Sequence, residues 1–267
     1  MYVSIESVLE TSQDTERTPV LILAIETSTA SGSLALARDG QLLEVSSGDP
    51  SRTHGERLPS EAQVLLQRHG FTNKAVDCYA VALGPGSFTG LRVGIATTQG
   101  LALAHERQVI GISVIDTLVH IAAKMVTDTC LPELIIPWID GKRGEVFSAV
   151  YDRRPSADTP HTDWEVLTES IAAPPEVVLD RWVTQLRKRV AWFIGDGVPL
   201  YKSVIEAKLG PRPKTISDIP PLAGEMAVMA SSNRWLRQAM APHAIRPVYI
   251  RRPDAELARN RRRNANA

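Results

Sequence analysis

A run of apolar residues, Val20-Leu21-Ile22-Leu23-Ala24-Ile25, opens a series of elements that begins again at Leu134. Each series is a string of short apolar segments and helical stripes separated by turn residues, and this repetition is the strongest constraint on the fold. In the first series the opening strand ends in the polar turn Glu26-Thr27-Ser28-Thr29. Ser33–Arg38 reads as its hairpin mate, and Asp39-Gly40 signals a tight turn into a third strand over 41–45. Leu58, Ala62, Leu65 and His69 then lie on one helical stripe that stops at Gly70. A strand over 78–83, a helix over 91–104 and a strand over 109–112 follow. A last helix is opened by Ser113-x-x-Asp116, a capping-box pattern.

The second series has Leu134–Asp140 as a strand, Gly141-Lys142-Arg143-Gly144 as a turn and 145–151 as the alternating partner. A helix around 174–189, a strand over 190–194 ending in Gly195-Asp196-Gly197, and a helical stretch over 222–240 complete it. Pro155, Pro160, Pro174 and Pro175 interrupt this half, so its pattern is looser. Three strands, helix, strand, helix, twice over, is the rhythm of a duplicated ribonuclease-H-like half. The expected division is an N-terminal half at 20–113 and a C-terminal half at 114–250. A disordered extension is expected at 1–19 and a basic, solvated tail at 251–267.

Composition narrows the function classes. The chain has 267 residues, with 30 Lys plus Arg against 30 Asp plus Glu, so no global field draws it to nucleic acid or an anionic membrane. Any RNA contact must come from a local patch, and the arginines of the C-terminal tail are one candidate. Cys78 and Cys130, far apart, suggest reduced core thiols in a cytoplasmic protein, not a disulfide framework. No membrane-spanning stretch or signal peptide is legible.

The most distinctive stretch is Gly84-Pro85-Gly86-Ser87-Phe88-Thr89-Gly90-Leu91-Arg92-Val93-Gly94, between a strand and a helix. It is neither a P-loop, lacking a closing Gly-Lys-Ser/Thr, nor the dinucleotide fingerprint, since Thr89 stands where the last glycine belongs. Ser87 or Thr89 is expected to cap the helix. Inside that helix Gly94 and Gly100 each cost about 1 kcal/mol against Ala, which close backbone packing would explain. Packing of the helix on its own sheet and packing on another protein both remain open. Ala96, Gly100 and Ala104, four apart, form a small-residue stripe along one face.

Several motifs occur together in order: Ile25-Glu26-Thr27-Ser28-Thr29, His54-Gly55-Glu56-Arg57-Leu58, the run from Gly84 to Gly94, Gln99-Gly100-Leu101-Ala102, and Gly111-Ile112-Ser113. Asp140-x-x-x-Gly144-Glu145-Val146-Phe147 and Arg246-Pro247-Val248-Tyr249-Ile250-Arg251 extend the set. Together they resemble the bacterial TsaB (YeaZ) family over most of residues 20–252. The resemblance implies an actin/hexokinase/Hsp70-like (ASKHA) fold of two ribonuclease-H-like subdomains. It also implies a non-catalytic subunit of the machinery that makes N6-threonylcarbamoyladenosine in tRNA. The implied partners are the paralogous catalytic subunit TsaD, the ATPase TsaE, and tRNA through the complex, with a homodimer as an alternative. The interface expected for such a partner comprises Gly84, Pro85, Gly86, Ser87, Phe88, Thr89, Gly90, Arg92, Ala96, Gly100 and Ala104, with His54, Arg57 and Leu58 from the preceding helix.

Two departures from the family pattern stand out. Glu26 occupies a position where related ATP-binding folds have Asp, so Glu26, Thr27, Ser28 and Thr29 read as a vestigial phosphate turn and no cofactor is expected. Pro59 follows Leu58 directly, which is expected to start that helix late.

An active kinase of the same fold is the main alternative, with Asp140-Gly141-Lys142-Arg143 as its second phosphate turn and Gly195-Asp196-Gly197 near an adenosine. Hairpin and strand-end turns need the same residues. A metallopeptidase-like hydrolase would need closely spaced ligands, and histidines 54, 69, 105, 120, 161 and 243 include no pair three to five apart. No metal site or catalytic residue is expected. Ser87 lacks the surroundings of a nucleophile elbow.

Overall fold

The computed structural model describes residues 19–127, 131–154 and 164–251. Residues 1–18 of the expected extension, Cys130 and the basic tail beyond Arg251 lie outside the described residues.

The first half runs β1 (Leu21–Glu26), β2 (Ser33–Arg38), β3 (Gln41–Ser47), α1 (His54–Arg68), β4 (Cys78–Gly84), α2 (Phe88–Ala104), β5 (Gln108–Ser113) and α3 (Val114–Lys124). Its sheet has the order β3-β2-β1-β4-β5. β2 lies antiparallel to β1 and β3, whereas β4 is parallel to β1 and β5. The Asp39-Gly40 turn forms with positive φ at both residues, 52° and 78°, the geometry that joins twisted antiparallel strands.

The second half runs β6 (Leu134–Asp140), β7 (Val146–Arg153), β8 (Trp164–Ala173), α4 (Pro175–Leu186), β9 (Ala191–Ile194), α5 (Val198–Leu209), β10 (Lys214–Ile216), α6 (Leu222–Ala230) and α7 (Asn233–Leu236). Its sheet order, β10-β9-β6-β7-β8, is the first order repeated: third, second, first, fourth and fifth strand, read from the other end. The chain is an α/β protein built on two five-stranded mixed sheets of the same strand order.

Every residue of β1 is buried, because both faces of its sheet are covered. Leu21, Leu23 and Ile25 pack towards α1 and α2 with Leu58, Leu65 and Ile95. Ile22 and Ala24 point the other way, into a core shared with Ile115 and Leu118 of α3, Met226 of α6, and Ile135 and Trp192 of the second sheet. A third core joins Trp138 and Val150 to Trp182 of α4 and Ile205 of α5. The period of two along each strand thus sorts side chains between layers.

Local expectations are modified in four places. α1 begins at His54 despite Pro59, because the Glu56 carboxylate accepts from the Thr53 amide (2.9 Å) and hydroxyl (2.7 Å) and closes the N-terminus. α2 begins at Phe88, three residues early, with the Ser87 hydroxyl accepting from the Gly90 amide at 3.2 Å. The expected 222–240 helix is two pieces that stop at Ala230 and Leu236. β8, α5 and β10 had no expected counterpart.

The boundary at 113/114 separates the strands of the two sheets but not all that packs on them. α6 lies across β1 and β2, where the Ala223 amide donates to the Ser33 hydroxyl at 3.1 Å. Met240 bridges to Val109, and the Val248 amide donates to the Leu83 carbonyl at 2.9 Å. The end of the described chain therefore sits on the first sheet.

Candidate functional site

Two turns meet where β1 and β4 end side by side. The β1–β2 turn begins at Thr27, and the glycine-rich loop after β4 folds onto it, with the Ser87 amide donating to the Ser28 carbonyl at 2.9 Å. A Cβ at Gly90 would stand 2.1 Å from the Thr27 carbonyl oxygen, and one at Gly94 would stand 2.1 Å from the Thr27 hydroxyl. One at Gly86 would meet the Ser28 Cβ at 2.5 Å. These glycines are required by packing of the loop and of α2 on this chain's own first turn.

The first turn is closed on itself. Glu26 is 1% exposed. Its Oε1 accepts from the Ser28 amide (2.5 Å), the Ser28 hydroxyl (2.5 Å) and the Thr29 amide (2.9 Å). Its Oε2 accepts from the hydroxyls of Thr29 (3.0 Å) and Ser33 (3.2 Å). With five donors the carboxylate is saturated, which is how a buried charge is tolerated here. The length of the Glu side chain lets the carboxylate bend back over its own turn. Glu26→Ala would orphan these donors, and the expected result is a loss of roughly 2–5 kcal/mol of stability, read as a lower denaturation midpoint. A midpoint equal to that of the parent would contradict the structural role.

Arg57 and Leu58 need correcting as partner-facing residues, whereas His54 is half-buried. Leu58 is fully buried in the core, and Arg57 is fully buried beneath the first turn. The Arg57 guanidinium donates to the Ser31 carbonyl, to Glu61 (2.6 Å) and to His54 Nδ1 (2.8 Å), while His54 Nε2 lies 3.2 Å from the Thr29 carbonyl. Gly48 leaves the space that the guanidinium fills. These residues tie α1 to the first turn.

The two halves enclose a cleft of about 680 Å³ lined by Glu26, Ser28, Thr29 and residues 86–89 on one side. Asp140, Lys142, Asp196 and Arg251 line the other. The 140–145 turn is a hairpin, with Lys142 and Arg143 at positive φ. Asp140 accepts from the Lys142 ammonium (2.7 Å) and amide (2.9 Å), and its own amide donates to Asp196 (2.9 Å). The Asp140 hydrogen bond and charge hold the Lys142 ammonium above its ordinary pKa. Asp196 is raised above the usual carboxylate range, first by withdrawal from water and then by the Asp140 charge. The residue as a whole remains exposed at the rim of the cleft, where solvent screens its charge. Gly195 and Gly197 make room for the Trp138 carbonyl, which would lie 2.2 Å and 2.8 Å from a Cβ at each. A metal-bound triphosphate does not fit this donor set: Glu26 is consumed by its own turn and Asp140 by Lys142. Among the described residues no three of His, Cys, Asp and Glu cluster as metal ligands.

Outside the cleft, α2 presents a different surface. Gly90, Gly94 and Thr98 face inward, whereas Ala96, Gly100 and Ala104 are all exposed. A Cβ at Gly100 would meet nothing within 4 Å. Leu103, 59% exposed, extends the stripe, and Val64 on the neighbouring α1 is 49% exposed. At the start of α2 the Arg92 guanidinium stacks 3.9 Å over Phe88 and donates to the Tyr249 hydroxyl at 2.9 Å. Ser87 and Thr89 are exposed beside them, while Gly84 and Pro85 are buried at the end of β4. Leu103 was legible in the sequence, three residues after Gly100; Tyr249 was not, since only the returning chain brings it to Arg92.

Residues 48–260 match the family of TsaD, tRNA N6-adenosine threonylcarbamoyltransferase. The tRNA threonylcarbamoyladenosine biosynthesis protein TsaB of Haemophilus influenzae is 30% identical over 86% of this chain and 93% of its own length. The chain belongs to the TsaB (YeaZ) family. The TsaB protein of Escherichia coli is 33% identical over 64% of this chain and 73% of its own. A solved Pseudomonas aeruginosa structure, described as similar to the peptidase YeaZ, superposes with a TM-score of 0.68 at 27% identity. It covers 87% of this chain and all of that one. Within the TsaB (YeaZ) family, then, this chain keeps both halves of the fold. No helix among its described residues is long and apolar enough to cross a membrane.

Proposed function

We propose that this chain is the non-catalytic subunit of a tRNA N6-threonylcarbamoyladenosine synthesis complex, pairing with a TsaD-type transferase to which a TsaE-type ATPase binds. The observation that carries the non-catalytic part is Glu26: a carboxylate saturated by its own turn has no lone pair left to orient a metal, a water or a phosphate. The pairing part rests on the outer face of α2, where small residues and Leu103 leave a helix face open to a partner. A kinase reading loses support from the same carboxylate and from the Asp140–Lys142 pair.

The test is reconstitution. The purified chain alone, given threonylcarbamoyl-adenylate and unmodified tRNA, should yield no modified nucleoside by mass spectrometry and no ATP hydrolysis above the blank. Adding the TsaD-type and TsaE-type proteins of the same genome should restore modification, and omitting this chain should abolish it. Modified tRNA made by this chain alone would overturn the reading.

A further inference from the structure

A second groove, of about 460 Å³, lies on the second half away from the cleft, between the ends of α4 and α5. Arg187, Arg189, Lys208 and Arg212 line it, and Glu206 is the single acidic residue of its wall. Residues 187–214 carry seven basic residues (Arg187, Lys188, Arg189, Lys202, Lys208, Arg212, Lys214) against Asp196 and Glu206, within a chain whose charges balance overall.

Part of this charge is spent internally. Arg189 pairs with Asp152 and Glu133, Lys208 with Asp180 (2.5 Å) and Lys202 with Glu206 (3.8 Å). The rest is not. Among the described residues the Arg187 guanidinium donates to the Lys208 carbonyl alone, through two nitrogens at 3.3 and 3.0 Å, and its charge has no carboxylate counterpart there. Lys188 and Arg212 are exposed and have no ion-pair partner among the described residues, and Lys214 sits 4.1 Å over the Trp192 ring. Cations at helix C-termini offset the macrodipole, which accounts for Arg187, Lys188 and Lys208. It does not account for Arg212 in the loop or Lys214 on β10.

We propose that this groove takes the phosphate backbone of RNA, the tRNA of the reaction inferred above, and the identity of that RNA rests on that reading. Guanidiniums tethered by a backbone contact present their remaining N–H groups outward in a fixed plane, which suits phosphate oxygens. The contact carries no sequence information and would position the tRNA.

The test uses the full-length chain alone and an unmodified tRNA transcript, with fluorescence anisotropy between about 50 and 200 mM salt. Lys188→Gln with Arg212→Gln changes two exposed side chains and removes no ion pair among the described residues, so the fold should stay intact, with at most a small fall in melting temperature from the lost helix-terminal charge. It should weaken binding roughly tenfold at the lower salt and flatten the log–log salt slope by about 1.4 to 1.8. Arg187→Gln should add to both effects. An unchanged slope in the double variant overturns the proposal and leaves RNA binding to other parts of the chain. Binding of inorganic phosphate that is lost in the double variant, with transcript binding unchanged by the same variant, overturns it in favour of a small-anion site. Because RNA binding is read on this chain directly, the result does not depend on whether pairing with a transferase succeeds.

Discussion

Gly90→Ala is expected to cost at least about 3 kcal/mol, a fall of roughly 6–12 °C in melting temperature for a chain of this size. The substitution would normally favour a helix, by up to about 1 kcal/mol. Here the new Cβ would lie 2.1 Å from the Thr27 carbonyl oxygen and 3.1 Å from the capping Ser87 hydroxyl. Backbone cannot swing aside as a side-chain tip can, so either α2 lifts from the first turn or the turn opens. Opening the turn would also loosen the Glu26 hydrogen bonds. Gly100→Ala is the internal control: it lies in the same helix with nothing within 4 Å of the new Cβ. That change should stabilise the protein by about 0.5–1 kcal/mol, through propensity alone. Thermal or urea denaturation of both variants decides the matter. Equal stability of Gly90→Ala and parent would mean that the loop does not pack on the turn as described.

Gly100→Leu and Ala96→Leu should leave the fold intact and break the proposed heterodimer. Both positions are exposed, so neither side chain meets this chain's own core. Against a helix docked closely on the stripe, each added side chain costs about 1–3 kcal/mol, a rise of roughly 5- to 150-fold in Kd. The two together should abolish co-purification with the transferase and remove the modified nucleoside from cellular tRNA. Pairing is measured by titration calorimetry, with melting temperature as the control. A collapsed melting temperature would move the stripe into the core, and pairing at parental affinity would remove α2 from the interface.

The repeat of strands and helices, the hairpin at Asp39-Gly40, the turn at 141–144 and the helix starts at Ser87 and Ser113 follow from short-range chemistry. Turn residues, caps and the period of apolar positions all act within a few residues, so they are visible in a one-dimensional string. The same holds for the family motifs, whose spacing is written in the chain. β8, α5 and β10 were less legible. β8 carries exposed Val166 and Leu167 on a sheet edge, so its burial pattern does not alternate cleanly. α5 has a kink at Tyr201, and β10 is only three residues long.

What a run of residues faces depends on what the rest of the chain brings to it. The glycines from Gly84 to Gly100 look alike in sequence, yet Gly90 and Gly94 are pressed on Thr27 while Gly100 is open to solvent. Within the motif from His54 to Leu58, Arg57 turns inward because Gly48 and the Ser31 carbonyl receive its guanidinium, and Leu58 enters the core beside β1. α6 belongs by position to the second half but covers the first sheet, where it seals the face that β1 would otherwise expose. The sequence by itself determined most of the elements, the fact of their duplication and the family. The tertiary structure alone decided which of these small residues are internal spacers and which form a surface, because close approach between backbones is set by long-range packing.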